Sequence, residues 1–217
     1  MRSTSRARTL GALLLGIALA PSPARGLPLI SEVFYDAAGT DNGKSFVEIF
    51  GEPGSALDGF TLEGVNGANG DITPSLALSG SIPADGLFLL ADDAGDGTTL
   101  VPGADLVLNF DFQNGPDSIV LRNSDGVVDA VGYGVFDVGE VFAGEGAPAP
   151  DPPADASLAR RFADVDTGDN AADWIAQGTP TPGEAPLAGV PEPSAGALFG
   201  CGLALLARLS RRRSAAR

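Results

Sequence analysis

Two loop-like stretches hold the residues best placed to do chemistry: ADDAGDG, with Asp92, Asp93 and Asp96, and DVDTGDNAAD, with Asp164, Asp166, Asp169 and Asp173. Carboxylates crowded on irregular backbone suit a hard cation such as calcium, which takes about six to eight oxygen ligands. Neither stretch has the D-x-[DN]-x-[DN]-G order and distant glutamate of an EF-hand loop. Calcium is therefore a candidate cofactor at these seven residues, and a solvated acidic loop is the plainer alternative for each. Paired carboxylates also serve glycosidases, but 28 acids in one chain bring two together by chance. The chain has no histidine. That removes Ser-His-Asp and Cys-His catalysis, histidine-ligated zinc and the usual base near neutral pH. GVNGANGD, residues 64–71, is turn chemistry and not a GxxxxGK[ST] phosphate loop. The expectation is a protein that is not an enzyme.

The elements that must position these acids are short. Thirty glycines and 17 prolines among 217 residues favour turns and strands over long helices. Seven apolar or alternating runs follow one another, each closed by a Gly, Asp or Asn turn: LPLISEVFY, SFVEIF, DGFTLEG, GLFLLAD, DLVLNFDF, DSIVLRNSDG and VVDAVGYG. Ile119 and Leu121 alternate with Ser118, Val120 and Arg122, and Val127, Asp129, Val131 and Tyr133 with Val128, Ala130 and Gly132. Ser124-Asp125-Gly126 between them predicts a hairpin, with Gly126 taking the positive φ. Seven or so strands at this spacing predict a sandwich. The single cysteine, Cys201, lies outside these runs, so this body holds no disulfide. All 28 acids lie between Glu32 and Glu192, where the bases are Lys44, Arg122, Arg160 and Arg161, a formal charge of 4 − 28 = −24. Such a body repels phosphate backbones, so nucleic acid is not an expected partner.

ISEVFYDAAGTDNGKSFVEIF from Ile30 to Phe50, LDGFTLEG from Leu57 to Gly64, IPADGLFLLAD from Ile82 to Asp92 and NGPDSIVLRNSDGVVDAVGYG from Asn114 to Gly134 stand in an order that resembles the lamin tail domain. That resemblance covers roughly half the chain and implies an immunoglobulin-like β-sandwich. Ser45-Phe46-Val47-Glu48-Ile49 departs mildly from the family, which usually sets an aromatic beside a glutamate ahead of its valine. On the residues alone, Phe46, Ile49 and Phe60 are core or half-core positions, Gly59 and Gly86 allow tight turns, and Glu48 is a half-exposed strand residue or a backbone acceptor. Residues 27–143 are thus the expected sandwich, 144–156 a proline-rich connector, 157–183 a closing segment docked through Trp174 and Ile175, and 184–189 a stalk.

The two ends read as addresses. Arg2, Arg6 and Arg8 precede an apolar run from Leu10 to Ala20 that is too short to span a bilayer but fits a signal peptide, residues 1–26. At the other end an apolar stretch, taken as a single transmembrane helix over about 194–210, precedes a basic tail at 211–217. Arg208 snorkels, and the arginines stay cytoplasmic, which leaves the acidic body outside. Val190-Pro191-Glu192-Pro193, then the apolar run, then Arg211-Arg212-Arg213 resembles the PEP-CTERM sorting signal of Gram-negative bacteria. The resemblance implies an exosortase, a membrane-embedded cysteine transpeptidase, as partner, alongside the export translocase and signal peptidase. It also implies a protein held first in the inner membrane facing the periplasm, then at the cell surface or in the extracellular biofilm matrix after processing. The function expected is that of a non-enzymatic surface or matrix protein with an unnamed ligand. The alternatives are a calcium-dependent adhesion module and an accessory domain of a secreted enzyme system.

Overall fold

The computed structural model describes residues 26–189. Most of the expected signal peptide lies outside them, as does the whole sorting segment with Val190, Pro191, Glu192, Pro193, Arg211, Arg212 and Arg213. Among the described residues no helix is long and apolar enough to cross a membrane, and the expected spanning stretch is not among them.

Each of the seven runs contains a strand. These are β1 (Leu29–Phe34), β2 (Phe46–Phe50), β3 (Thr61–Asn66), β5 (Leu87–Asp92), β6 (Leu106–Leu108), β7 (Asp117–Asn123) and β8 (Gly126–Tyr133). Three more, β4 (Ile72–Ala77), β9 (Ser157–Arg160) and β10 (Trp174–Gln177), and one four-residue helix, α1 (Asn170–Asp173), complete the described chain. The strands form two sheets, one in the order β10-β9-β1-β2-β5-β6 and one in the order β4-β3-β7-β8. Side chains from both sheets share one core: Ile30, Val33, Val47, Ile49, Phe88 and Leu90 meet Leu62, Ile119, Leu121, Val131 and Tyr133. The architecture is an all-β sandwich, because each strand sends alternate residues inward and the two apolar faces cover one another.

The hairpin forms as expected: Asn123 pairs with Gly126 across Ser124-Asp125, and Gly126 has φ of +134°. A register shift between Leu121 and Arg122 then makes Leu121 face Asp129. The bulge sets Asp129, an acid in line with valines, fully inside the molecule.

The segment read as a connector does more than connect. The Ala149 N–H donates to the Gly132 carbonyl and the Gly134 N–H to the Ala149 carbonyl, so residues around Ala149 continue the sheet beyond β8. Asn170 extends this seal: its Oδ1 accepts from Gly132 N–H and its Nδ2 donates to the Ala130 carbonyl. An otherwise open edge is thereby paired. Close approach explains the small residue here, since a Cβ on Gly132 would strike the Phe142 ring. The closing segment also becomes part of the sheet: β9 pairs with β1, β10 pairs with β9, and Trp174 is buried in the shared core.

Candidate functional site

The site is built where β8 of one sheet faces β9 of the other. Arg160, the last residue of β9, points inward, and its side chain and that of Asp129 are both fully excluded from solvent. Arg160 Nη2 donates to both Asp129 oxygens at 2.9 Å, Nε to the Ile30 carbonyl at 3.0 Å, and Nη1 to the Val165 carbonyl at 3.0 Å and to Asp173 Oδ2 at 3.3 Å. The guanidinium carbon lies 4.8 Å from the Trp174 ring centre, a further attraction for a buried cation. Asp129 Oδ2 also accepts from the Ile30 N–H at 2.6 Å. One ion pair thus bolts the two sheets together through β1, β8 and β9.

Negative charge exceeds positive around this pair. Asp166 Oδ1 stands 3.6 Å from Arg160 Nη1, and Asp173 is held by the Thr167 N–H and hydroxyl, each at 2.8 Å. Glu145 comes in from the segment beyond β8. Asp129, Glu145 and Asp166 each offer an oxygen, and these oxygens all lie within 4.8 Å of one another. Glu145 Oε2 is a buried atom with no hydrogen-bond partner. Its carboxyl is pushed up to about 7, by burial first and then by the charges of Asp129 and Asp166. Burial also raises the Asp129 carboxyl, although Arg160 and the Ile30 N–H pull it down. Arg160 already serves Asp129 and Asp166, so Glu145 is the carboxylate left to take up a proton or to share a cation with them.

The seven acids predicted from the sequence are dispersed among other tasks. Asp92 is buried and ties two loops to the sheet, Oδ1 accepting from Phe110 N–H and Oδ2 from Gly43 N–H. Asp93 Oδ1 accepts the N–H groups of Gly95, Asp96 and Gly97, and Asp96 Oδ1 accepts from the Thr98 N–H and hydroxyl. Asp164 accepts from Ala188 N–H, and Asp169 caps α1. Of the seven, Asp166 alone joins the convergent trio, and Asp173 touches Arg160. Sequence reasoning missed Asp129 and Glu145. The available signal was Asp129 itself, a charge at an inward position of an alternating strand.

A second pair of buried acids lies on the outer face of the larger sheet. Glu32 and Glu48 are direct cross-strand partners and are both buried. Like charges so placed repel, and both are offset by donors from the closing segment and from neighbouring serines. Glu32 accepts from the Ser157 hydroxyl and from the N–H and hydroxyl of Thr181, while Glu48 accepts from the Ser31 hydroxyl and Gly183 N–H. Burial raises the Glu48 carboxyl above its usual value. Glu48 is thus the backbone acceptor expected, though fully enclosed. An open apolar groove of about 400 Å³ beside it runs between Phe34, Phe46, Val101 and Pro182, with Lys44 and Asp155 as its charged lining residues. A lone Lys and Asp there form no catalytic constellation.

The chain matches no family model and no curated protein among those compared.

Proposed function

We propose that the protein is an exported, non-enzymatic surface or matrix component: an acidic, lamin-tail-like and immunoglobulin-like sandwich that an exosortase sorts through the PEP-CTERM segment. The observation that carries this reading is the order Val190-Pro191-Glu192-Pro193, apolar run, Arg211-Arg212-Arg213, behind a body of formal charge −24. The arginines flanking the apolar run stay in the cytoplasm, which leaves the body outside. The N-terminal run from Leu10 to Ala20 supports the same topology. Replacing Pro191, Glu192 and Pro193 together by alanine in the native host tests it. The protein should then accumulate in the membrane fraction and be lost from the medium. Unchanged release would overturn the sorting reading.

A second reading, a calcium-dependent adhesion module, is favoured by the three convergent oxygens of Asp129, Glu145 and Asp166. Calcium bound there would stabilise the fold by mass action. Millimolar calcium should raise the melting temperature of the full chain at pH 8 and leave Glu145→Gln unchanged. No shift in the wild type would dismiss a structural ion at this place.

A further inference from the structure

The end of the closing segment and the stalk after it, residues 181–188, are tied to the body. After β10 the chain crosses the outer face of the larger sheet, where Thr181 donates its N–H and its hydroxyl to Glu32, each at 2.9 Å, and Gly183 donates its N–H to Glu48 at 2.7 Å. It then turns back: the Ala163 N–H donates to the Pro186 carbonyl at 2.8 Å, and the Ala188 N–H to Asp164 Oδ1 at 2.7 Å. Glu32 and Glu48 are buried and use these donors, whereas Asp164 is exposed. The attachment is therefore graded: it is firm at Thr181, Gly183 and Pro186, whose partners Glu32, Glu48 and Ala163 are buried, and lighter at Ala188, whose partner is exposed. It ends two residues before Val190.

We propose that residues 181–188 form a clasp that controls access to the chain next to the Pro191-Glu192-Pro193 triplet. Peptidases and transpeptidases take their substrates as extended chain, and chain hydrogen-bonded to a folded body must first detach. With the clasp closed, the chain is held to the body as far as Ala188, two residues short of Val190, which leaves an enzyme embedded in a membrane little free chain to grip. With it open, eight residues are released, a tether longer by roughly 25 Å at about 3.3 Å per residue. Opening starts at Ala188, where the acceptor is exposed, and proceeds toward Gly183 and Thr181, where the acceptors are buried. β10, anchored by Trp174 in the core, stops it. The inference that processing is what the clasp regulates rests on the sorting reading above; the clasp itself does not.

The test is limited digestion of the full chain, in detergent micelles, with a glutamate-specific endoproteinase, following the Glu184–Ala185 bond by mass spectrometry. Glu184 lies inside the clasp, so cutting there reports opening. Asp164→Ala should speed that cut by about tenfold, the loss of one hydrogen bond to a charged acceptor, with an unchanged melting temperature. Thr181→Val should speed it further when combined with Asp164→Ala. Cutting of both variants at the wild-type rate would overturn the proposal. The added protease replaces the host's own enzyme, so this result is independent of where the host processes the chain.

Discussion

Asp129 and Arg160 illustrate how one buried pair is worth more broken than whole. Removing Arg160 leaves Asp129 uncompensated between two sheets, which costs about 3–5 kcal/mol, whereas an apolar pair of similar volume is often neutral; removing Asp129 is milder, because Asp173 and Asp166 still face the guanidinium. Arg160→Met should therefore lower the unfolding free energy in urea by about 3–5 kcal/mol, and adding Asp129→Leu to it should recover most of the loss. Glu145 makes a different prediction, because its carboxyl rises from 4.5 to about 7 in the folded chain. Between these values the folded state binds a proton at Glu145 that the unfolded state lacks, so the contribution of Glu145 to stability is full below pH 4.5 and is lost as pH rises through about 7. Burial is the main cause, followed by the charges of Asp129 on β8 and Asp166 after β9, and Arg160 on β9 opposes them. Melting temperatures across this window should decline more steeply for the wild type than for Glu145→Gln. Parallel profiles would show that Glu145 is not held as described. Little of this was legible beforehand, since Asp129, Glu145 and Arg160 are distant in sequence and only the bulge near Leu121, the edge pairing at Ala149 and the turn of β9 bring them together.

At the scale of elements, the seven strands visible as runs are those whose alternation survives without help from elsewhere. β4 was hidden because Ile72-Thr73-Pro74-Ser75-Leu76-Ala77 carries a proline and exposes most of its side chains. It lies at a sheet edge, where the missing proline N–H is tolerated. β9 and β10 were hidden by their length of four residues each, too short for periodicity to register, although Trp174 signalled that something there is buried. Proline and glycine mark where regular structure ends, not whether the chain leaves the surface: Ala149 in the connector pairs with β8, and Ala188 in the stalk donates to Asp164. Two substitutions examine the seal these segments make. Trp174→Ala should cost about 3–5 kcal/mol through the cavity it opens, and by removing the ring beside Arg160 it should loosen β9 and β10, read as faster amide exchange at Ile175 and Gln177. Asn170→Ala strips two backbone groups of β8 and the Glu145 N–H of their partner, a loss of about 1–3 kcal/mol for each group left buried and unpaired. Faster exchange at Gly132 should accompany it.

For the whole molecule, the features compose one account: an acidic sandwich without disulfides, closed by its own final strands, from which the chain departs under a clasp toward a proline-flanked glutamate, an apolar run and a basic end. The sandwich class was readable from turn spacing and alternation, because those depend on neighbouring residues. The interior polar contacts, which decide how the closing segment is held, depend on residues some hundred positions apart, as with Ile30 and Asp129. The measurement that tests the central claim most directly is the intact mass of the mature protein recovered from its native host, from membrane and medium separately. Export and sorting predict a chain beginning near Gly26, with a released form whose C-terminus lies near Pro193. A single species retaining both Met1 and Arg217 in each fraction would contradict it.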